Sequence, residues 1–288
     1  MNKKIAFPAL CFFLIFGTAI FSLNLKRARA TPSEGGKTLV LYDADLGTIP
    51  SAPLMNFAAF STAAAAPIYE NRVTLLDTTT SGNSTYAGWI SNASATQGFP
   101  ILDRIAGFQV DFTVHVENES HTKNNRAGFS IIILSEDARG IELAFWENEI
   151  WAQNDDTAGG LFNHGEGSML ATAIGFINYQ VIVVKDTYTL TANNKTILTG
   201  PLRDYSKFDG FPDPYETPNF LFLGDDTTSA RARIRLSFVS VTGTERTTPT
   251  SSPVPHGSPT PPLSIISTPS PTPTMKDFEF CPFTHYRP

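Results

Sequence analysis

The feature that most constrains the fold is the stretch from Phe108 to Gln153, where apolar and polar residues alternate. A period of two is typical of a β-strand with one buried face. A polar turn, a short apolar run from Phe129 to Leu134 and a second alternating segment, Ile141 to Phe145, follow in order. Because short polar links join antiparallel neighbours, we predict a three-stranded antiparallel meander here.

The rest of the chain is also predicted to form β-structure. Helical periodicity is nearly absent, and a parity change near Phe238 in the last strand predicts a β-bulge. We predict a glycine-rich loop over Asn154–Ala173 and a helical turn over Ala58–Ala66. The further predicted strands are Arg72–Asp77, Tyr86–Ser91, Tyr179–Val184, Tyr188–Ala192, Asn219–Leu223 and Ala230–Phe238. Many short strands separated by turns predict an all-β, two-sheet antiparallel sandwich over residues 38–242.

Composition and charge exclude several classes of protein. The chain has 288 residues, 22 phenylalanines and a formal charge of -6, so it can bury a real core and is not a basic nucleic-acid binder. It has two cysteines, Cys11 near the N-terminus and Cys281 near the C-terminus. Removal of the N-terminal segment would leave Cys281 alone, which excludes a disulfide framework or a cysteine-based metal site in one mature chain.

Residues 1–30 read as a targeting segment. Lys3 and Lys4 precede an apolar run from Ile5 to Leu25, and Ala28-Arg29-Ala30 offers a small-x-small cleavage site. One interpretation is a cleaved signal peptide, and the other is an uncleaved membrane anchor, since the run is near the length of a spanning helix. Both predict a secreted or cell-surface protein that contacts a membrane only through this segment.

The C-terminal part is predicted not to fold. Residues 244–274 are dominated by serine, threonine and proline, a composition typical of a disordered, extended linker or stalk. Residues 275–288 form a short aromatic tail that is too short to fold alone.

Four segments carry a resemblance to a known family. Arg126–Ser130, Gly140–Trp146, Ile150–Gln153 and Pro218–Ala230 resemble concanavalin A-like lectin/glucanase jelly rolls of the laminin-G type. They are more similar still to exported bacterial surface proteins, many of them cyanobacterial, that carry such a domain before a C-terminal sorting segment. The resemblance implies a jelly-roll fold, whereas residues 244–288 lack the short motif, apolar helix and basic end of a sorting segment.

Catalytic patterns are incomplete in the sequence. The Glu-x-Asp-x-x-Glu pattern of glycosidases with this fold is absent. Glu142, Glu147 and Glu149 lie close enough in sequence for a paired-carboxylate site, but the segment Glu147–Glu149 also fits an exposed hairpin turn. We therefore predict that the protein is not an enzyme.

A ligand-binding surface is predicted around two tryptophans. Trp146 and Trp151 flank the Glu147 turn, and exposed aromatic faces stack on sugar rings. With Glu142 they form one candidate site, unless the loop after Asn154 covers them. His164 and Glu166, in that glycine-rich loop, are further candidates for binding a ligand or metal, although one His and one Glu are too few for zinc.

Two acidic pairs suggest a calcium site. Asp43 and Asp45 begin the domain, and Asp225 and Asp226 precede the last strand. First and last strands can lie close together in a jelly roll, and carboxylates suit a hard cation. The alternative is that both pairs are ordinary turn residues.

The last strand carries a basic stripe, Arg231, Arg233 and Arg235. Guanidinium groups in such a row suit an acidic polysaccharide. Alternatively they pair with acidic residues of a neighbouring strand, for which Asp111 and Glu117 are candidates.

These observations lead to one expected function and two alternatives. We expect an exported, non-catalytic binding or adhesion module for polysaccharide of the cell envelope or extracellular matrix. The first alternative is a polysaccharide hydrolase or lyase of the same fold, and the second is a structural surface component without a small ligand.

Overall fold

Two antiparallel β-sheets build the part of the protein that the computed structural model describes, residues 36–59, 66–80, 86–156 and 160–245. The strands in chain order are β1 (Gly36–Asp43), β2 (Asn56–Ala59), β3 (Ile68–Glu70), β4 (Val73–Asp77), β5 (Ala87–Asn92), β6 (Phe108–His121), β7 (Ser130–Leu134), β8 (Gly140–Phe145), β9 (Glu149–Gln153), β10 (His164–Met169), β11 (Ile177–Val184), β12 (Thr187–Ala192), β13 (Lys195–Pro201), β14 (Phe220–Asp225) and β15 (Ala230–Thr244). The helical elements in these ranges are short 3-10 turns, including Ala44–Leu46 and Thr172–Ile174.

Sheet A has the strand order β13-β12-β11-β6-β15-β4-β3, and β1 also pairs with β15. Sheet B has the order β10-β9-β8-β7-β14-β5-β2. The long strand β15 pairs with β6 along one side and with β4 and then β1 along the other. The two-sheet antiparallel sandwich predicted from the sequence is therefore confirmed.

The main core lies between the sheets. The alternating residues of β6, from Phe108 to Val116, all point into it, and its centre holds a ring cluster of Phe112, Phe145 and Tyr179. Trp89 on β5 is also fully buried. Each such side chain contributes about 1.5–3 kcal/mol through removal of its apolar surface from water.

The predicted meander over Phe108–Gln153 is wrong in one respect. β6 lies in sheet A between β11 and β15, whereas β7, β8 and β9 form a meander in sheet B. The link after His121 therefore crosses from one sheet to the other. Alternation shows which face of a strand is buried, but it does not show which strand is its neighbour.

The predicted loop over Asn154–Ala173 contains a strand. β10 pairs antiparallel with β9 at the edge of sheet B, with a register shift between His164 and Gly167. Glycine-rich residues at an irregular edge strand read as a loop in the sequence, because strand propensity is low there. Likewise, the predicted helical turn at Ala58–Ala66 begins with the end of β2, and its residues 60–65 lie outside the described ranges. The bulge near Phe238 is confirmed by a register shift between Leu236 and Phe238.

A second apolar layer covers the outer face of sheet B, the face turned away from sheet A. The segment 202–218, which connects β13 to β14, places Tyr205, Phe208 and Tyr215 against Ile132 and the two phenylalanines of β14, Phe220 and Phe222. The segment 202–218 thus buries part of this outer face. This buried layer is separate from the core between the two sheets. This layer positions the candidate site.

Several predictions concern residues that the structure does not describe. The targeting segment 1–30, the tail 275–288 and nearly all of the linker 244–274 lie outside the described ranges. Within the described ranges, no helix is long and apolar enough to span a membrane.

Candidate functional site

A row of four residues crosses the outer face of sheet B from strand to strand. Ile90 on β5 is opposite Phe222 on β14, which is opposite Ile132 on β7, which is opposite Glu142 on β8. Three members of the row are apolar, and the fourth is a carboxylic acid of which only 2% is exposed. A buried carboxyl group requires hydrogen-bond partners, which the segment 202–218 supplies.

Two tyrosines hold Glu142 in place. The Tyr215 hydroxyl donates to Glu142 Oε2 at 2.5 Å. The Tyr205 hydroxyl accepts from the Glu142 backbone N–H at 3.1 Å and donates to the Gln153 carbonyl at 2.8 Å. Burial raises the pKa of both tyrosines well above its usual value, so both remain neutral hydrogen-bond donors.

Asp226, immediately after β14, forms a carboxyl pair with Glu142. The two carboxyl groups lie close enough for each to affect the pKa of the other. Burial raises the pKa of Glu142 well above its usual range, and the negative charge of Asp226 raises it further. Burial also raises the pKa of Asp226. Since two adjacent carboxylates cannot both ionise easily, the pair holds a proton more tightly than isolated carboxyl groups do.

The carboxyl pair lines a cavity of about 490 Å³ on the outer face of sheet B. That volume lies in the range of ligand pockets, about 300–1,000 Å³. Aromatic rings form part of its wall, namely Phe162, Phe208 and Phe211, the last of which is 72% exposed. Two basic side chains, Lys123 and Arg126, lie on the side of the β6–β7 link. The cavity thus combines aromatic side chains, carboxyl groups with a raised pKa and positive charge.

Arg126 connects the wall to the carboxyl pair. Its NH1 donates to the backbone carbonyls of Asn125 and Phe162, and its guanidinium carbon lies 5.5 Å from the centre of the Phe162 ring. The positive charge of Arg126 lowers the pKa of both Glu142 and Asp226, opposing the effect of burial. It therefore stabilises the negative charge that remains on the pair.

The predicted tryptophan site takes a different form in the structure. Trp151 is fully buried because the His164 ring stacks on it at 4.1 Å, and Trp146 is partly covered in the same way by His121. His164 Nε2 lies 3.0 Å from Glu149 Oε1. Trp151 and His164 therefore cap each other, and Trp151 offers no open face. Of the predicted set Trp146, Trp151 and Glu142, the last lines the cavity.

Glu166 lies in a separate polar network. It accepts hydrogen bonds from the Tyr188 hydroxyl at 2.8 Å and from Arg203 NH2 at 2.5 Å. Arg203 is itself 5% exposed and also bonds to Asn154. These contacts join β10 to β12 and to the segment after β13, so they hold sheet edges together and do not bring Glu166 to the cavity.

The two acidic pairs of the calcium hypothesis do not come together. Asp43 is paired with Phe238 in sheet A, and Asp225 with Ala87 in sheet B. Asp43 accepts the backbone N–H of Asp45, and Asp45 forms a salt bridge with Arg72. In the described ranges no group of three or more His, Cys, Asp or Glu side chains could hold a metal. Asp226 instead belongs to the carboxyl pair.

Most of the basic stripe on β15 is neutralised within sheet A. Arg233 and Arg235 both form salt bridges with Glu117 on β6, and they also reach Asp77 and Glu70 respectively. Of the two predicted partners, Glu117 is confirmed, whereas Asp111 accepts hydrogen bonds from Gln109 and Gln180. Arg231, two residues before Arg233 on the same strand, lines a second cavity.

Sequence reasoning missed the partners of Glu142. Tyr215 and Asp226 are 73 and 84 positions further along the chain, and Arg126 lies in the link between β6 and β7. One signal was present: Glu142 is the only charged residue in the segment Gly140–Phe145. A lone acid in a strand that is buried on both faces points to a site and not to a solvent-exposed position.

Comparison with known proteins gives fold similarity without a family. No family model and no curated protein sequence matches the chain. A carbohydrate esterase of the Shiga toxin-encoding bacteriophage phi24B is 12% identical with a TM-score of 0.47, and the match covers 73% of this chain and 100% of the esterase. The endo-β-1,3(4)-glucanase SCLam is 11% identical with a TM-score of 0.46, over 75% of this chain and 94% of the glucanase. Alginate lyase A1-II' is 12% identical with a TM-score of 0.41, over 73% and 95% of the two chains.

The expectation that the protein is not an enzyme is wrong. The expectation rested on the absence of an assembled set of acidic residues in the sequence, whereas the fold brings Glu142, Asp226 and Tyr215 together at one cavity. Residues far apart in the chain form that set, so no short motif reveals it.

Proposed function

We propose that the protein is an enzyme that cleaves glycosidic bonds in a polysaccharide, with the Glu142–Asp226 pair as its acid and base. The observation that carries this proposal is the pair of carboxyl groups, both with a raised pKa, at the wall of a cavity of ligand size. A carboxyl group that holds its proton more tightly than usual is suited to protonate the leaving oxygen in glycoside cleavage.

The pair acts as one unit in this proposal. In glycosidases with separate roles the two carboxyl groups are about 5 Å or more apart, whereas Glu142 and Asp226 are close enough for each to affect the pKa of the other. Asp226, the more exposed partner, faces the substrate, and Glu142 holds it in position and shares its proton. Tyr215 fixes Glu142 through its hydroxyl.

The proposed reaction is hydrolysis. The shared proton passes to the glycosidic oxygen as the bond from that oxygen to the anomeric carbon breaks. A water molecule then adds its oxygen to the anomeric carbon and returns a proton to the ionised pair, which restores the starting state. Arg126 stabilises the pair while it carries the additional negative charge.

The cavity wall supports a sugar as the bound group. The side chains of Phe162, Phe208 and Phe211 line the cavity, and the apolar faces of sugar rings stack on aromatic side chains. The threonine and serine hydroxyls of the segment 227–229 line the same cavity. They can exchange hydrogen bonds with sugar hydroxyls. We place this activity outside the cytoplasm, because residues 1–30 read as an export signal.

The test is release of new reducing ends from a broad panel of polysaccharides. Glu142→Gln and Asp226→Asn are expected to lower kcat about 10²–10⁴-fold, the usual contribution of a positioned acid or base. Glu149→Gln is the matched control, because Glu149 bonds to His164 outside the cavity lining and its replacement leaves the pair intact.

Three outcomes decide between the possibilities. No cleavage of any polysaccharide, or equal activity in all three variants, contradicts the proposal. Binding of a glycan without turnover by the wild type contradicts the catalytic part and leaves a carbohydrate-binding cavity. An unsaturated product, seen by its ultraviolet absorbance, would show elimination by a lyase in place of hydrolysis.

A further inference from the structure

One side chain in the wall of the cavity has a hydrogen-bond acceptor without a donor. Gln153, the last residue of β9, lines the cavity that holds the carboxyl pair, and it is 2% exposed, as is Glu142. The side-chain oxygen of Gln153, Oε1, has no hydrogen-bond partner among the described residues. A buried amide oxygen without a partner destabilises a fold, because it has given up its hydrogen bonds to water. Such an atom requires a functional explanation.

The strand register places Gln153 beside Glu142. Leu143 on β8 is opposite Ala152 on β9, so Glu142 and Gln153 are the next residues along the two strands. The Tyr205 hydroxyl joins their backbones, since it accepts from the Glu142 N–H and donates to the Gln153 carbonyl. Leu143 and Ala152 point into the intersheet core, so Glu142 and Gln153 point to the outer face of sheet B. Gln153 thus adds a fifth member to the row of four residues that crosses this face.

The neighbour on the other side sets the orientation of the Gln153 amide. Its nitrogen, Nε2, donates to the Asn125 carbonyl oxygen over a long distance of 3.5 Å. Because a carbonyl oxygen only accepts, the amide nitrogen faces Asn125 and the amide oxygen is the atom left without a partner. NH1 of Arg126 donates to the same carbonyl at 2.6 Å, so this carbonyl is paired without Gln153. The Gln153 side chain therefore contributes little to the hydrogen bonding of the fold.

We propose that Gln153 is a specificity-determining residue, whose Oε1 accepts a hydrogen bond from a hydroxyl group of the sugar unit bound beside the Glu142–Asp226 pair. This inference rests on the proposed function, to which it adds a requirement of the substrate. The sugar unit at this position carries a free hydroxyl group, because an amide oxygen has no hydrogen to give and pairs only with a donor. A unit with an ether, a fluorine or a carboxylate at the same place leaves Oε1 unpaired and is bound less well.

The experiment measures the binding of small glycosides by NMR titration. The probes are the methyl β-glycosides of glucose, galactose and xylose, together with forms of each in which one hydroxyl group is replaced by fluorine. Fluorine is similar in size to a hydroxyl group but cannot donate a hydrogen bond. For a glycoside that binds, we expect one fluorinated form to bind the wild type about five- to tenfold more weakly, the usual contribution of one hydrogen bond.

The variant Gln153→Met assigns that hydrogen bond to Gln153. Methionine is of similar length but has no amide oxygen, so the variant is expected to bind the unmodified glycoside about five- to tenfold more weakly than the wild type does. The variant is also expected to bind the fluorinated form as well as it binds the unmodified glycoside, because both partners of the same bond are then missing. Gln153→Leu is a second variant of the same kind.

Gln180→Met is the matched control. It removes the same amide from β11 in sheet A, where Gln180 Nε2 donates to Asp111 outside the cavity lining, and it is expected to leave the affinities unchanged. Melting temperatures separate binding from a structural role. Gln153→Met is expected to melt at or above the temperature of the wild type, because an apolar side chain replaces an unpaired buried amide.

The outcomes separate this inference from the proposed function. Binding of no glycoside, equal binding of all fluorinated forms, or unchanged affinity in Gln153→Met overturns the inference. The proposed function still stands in each case if the wild type cleaves a polysaccharide. A lower melting temperature of Gln153→Met with the same dependence on fluorine also overturns the inference, since the role of Gln153 would then be structural. Glycoside binding that depends on Gln153, in a protein that cleaves no polysaccharide, supports the inferred contact and overturns the catalytic proposal.

Discussion

At the scale of single residues, the stability of the fold depends on how the buried Glu142 carboxyl group is hydrogen bonded and whether it is charged. A carboxyl group of which 2% is exposed is costly unless it is hydrogen bonded or neutral, and here both remedies are used. Tyr215 supplies the hydrogen bond, and burial together with the charge of Asp226 raises the pKa of Glu142, which favours its neutral form. Changes at these three positions therefore have effects that can be separated.

The first prediction concerns stability against pH. The pKa of Glu142 is raised in the folded protein, so the folded state binds more protons than the unfolded state between the unfolded and folded pKa values. Its contribution is fully present below the unfolded pKa and is lost as pH rises through the folded pKa. The wild type is thus expected to lose stability relative to Glu142→Gln as pH rises through this window. Urea unfolding of both proteins at a series of pH values measures this, and a constant difference would contradict it.

The second prediction concerns Tyr215. Tyr215→Phe removes the donor to Glu142 Oε2 and leaves a buried carboxyl oxygen without this partner. We expect a loss of about 1–3 kcal/mol in the free energy of unfolding. Tyr69→Phe is the comparison, since its hydroxyl donates to the Ala44 carbonyl in a partly buried position and a smaller loss is expected. Equal losses of unfolding free energy in the two variants would contradict the prediction, because the hydrogen bond to Glu142 would then contribute no more than an ordinary one.

At the scale of elements, alternation in the sequence predicted strands and faces well, as β6, the β11–β12 hairpin and the bulge in β15 show. It could not predict sheet membership, because the hydrophobic period is the same whichever neighbour a strand has. It could not predict the second apolar layer either. The segment 202–218 has no period, and its Tyr205 and Tyr215 acquire their role only by packing on sheet B.

The candidate site was predictable only in part for the same reason. The sequence predicts a ligand site that contains Glu142, but it groups Glu142 with Trp146 and Trp151, which are its near neighbours in sequence. It predicts that Asp226 binds calcium. The pairing of Glu142 with Asp226 requires β8 and β14 to lie on either side of β7, a fact of topology that no local pattern carries.

The third prediction concerns the β6–β7 link. Gly128 packs so closely on β15 that an added Cβ would lie 1.9 Å from the Arg231 carbonyl carbon. Because that obstacle is backbone, Gly128→Ala is expected to destabilise the fold by about 1–3 kcal/mol and to displace the end of β15. In Gly167→Ala the closest obstacle is the carboxylate end of Glu149, a flexible side chain, so a smaller loss is expected. Chemical denaturation compares the two, and the opposite order would contradict the prediction.

At the scale of the whole molecule, the described residues 36–245 belong to one compact unit. The fourth prediction is that a fragment of residues 36–245 folds alone. We expect a circular dichroism spectrum rich in β-structure and one cooperative thermal transition, since the intersheet core is continuous across both sheets. A spectrum rich in helix, or two separate transitions at different temperatures, would contradict it.

The position of β15 has a consequence for synthesis. This strand lies between β6 and the pair β1 and β4, yet it is the last strand of the fold to leave the ribosome. Until it emerges, β6 lacks one of its two neighbours, and β1 lacks the only partner it has in the described sheet. Nascent chains therefore expose unsatisfied strand edges until β15 has been made, and such edges favour aggregation.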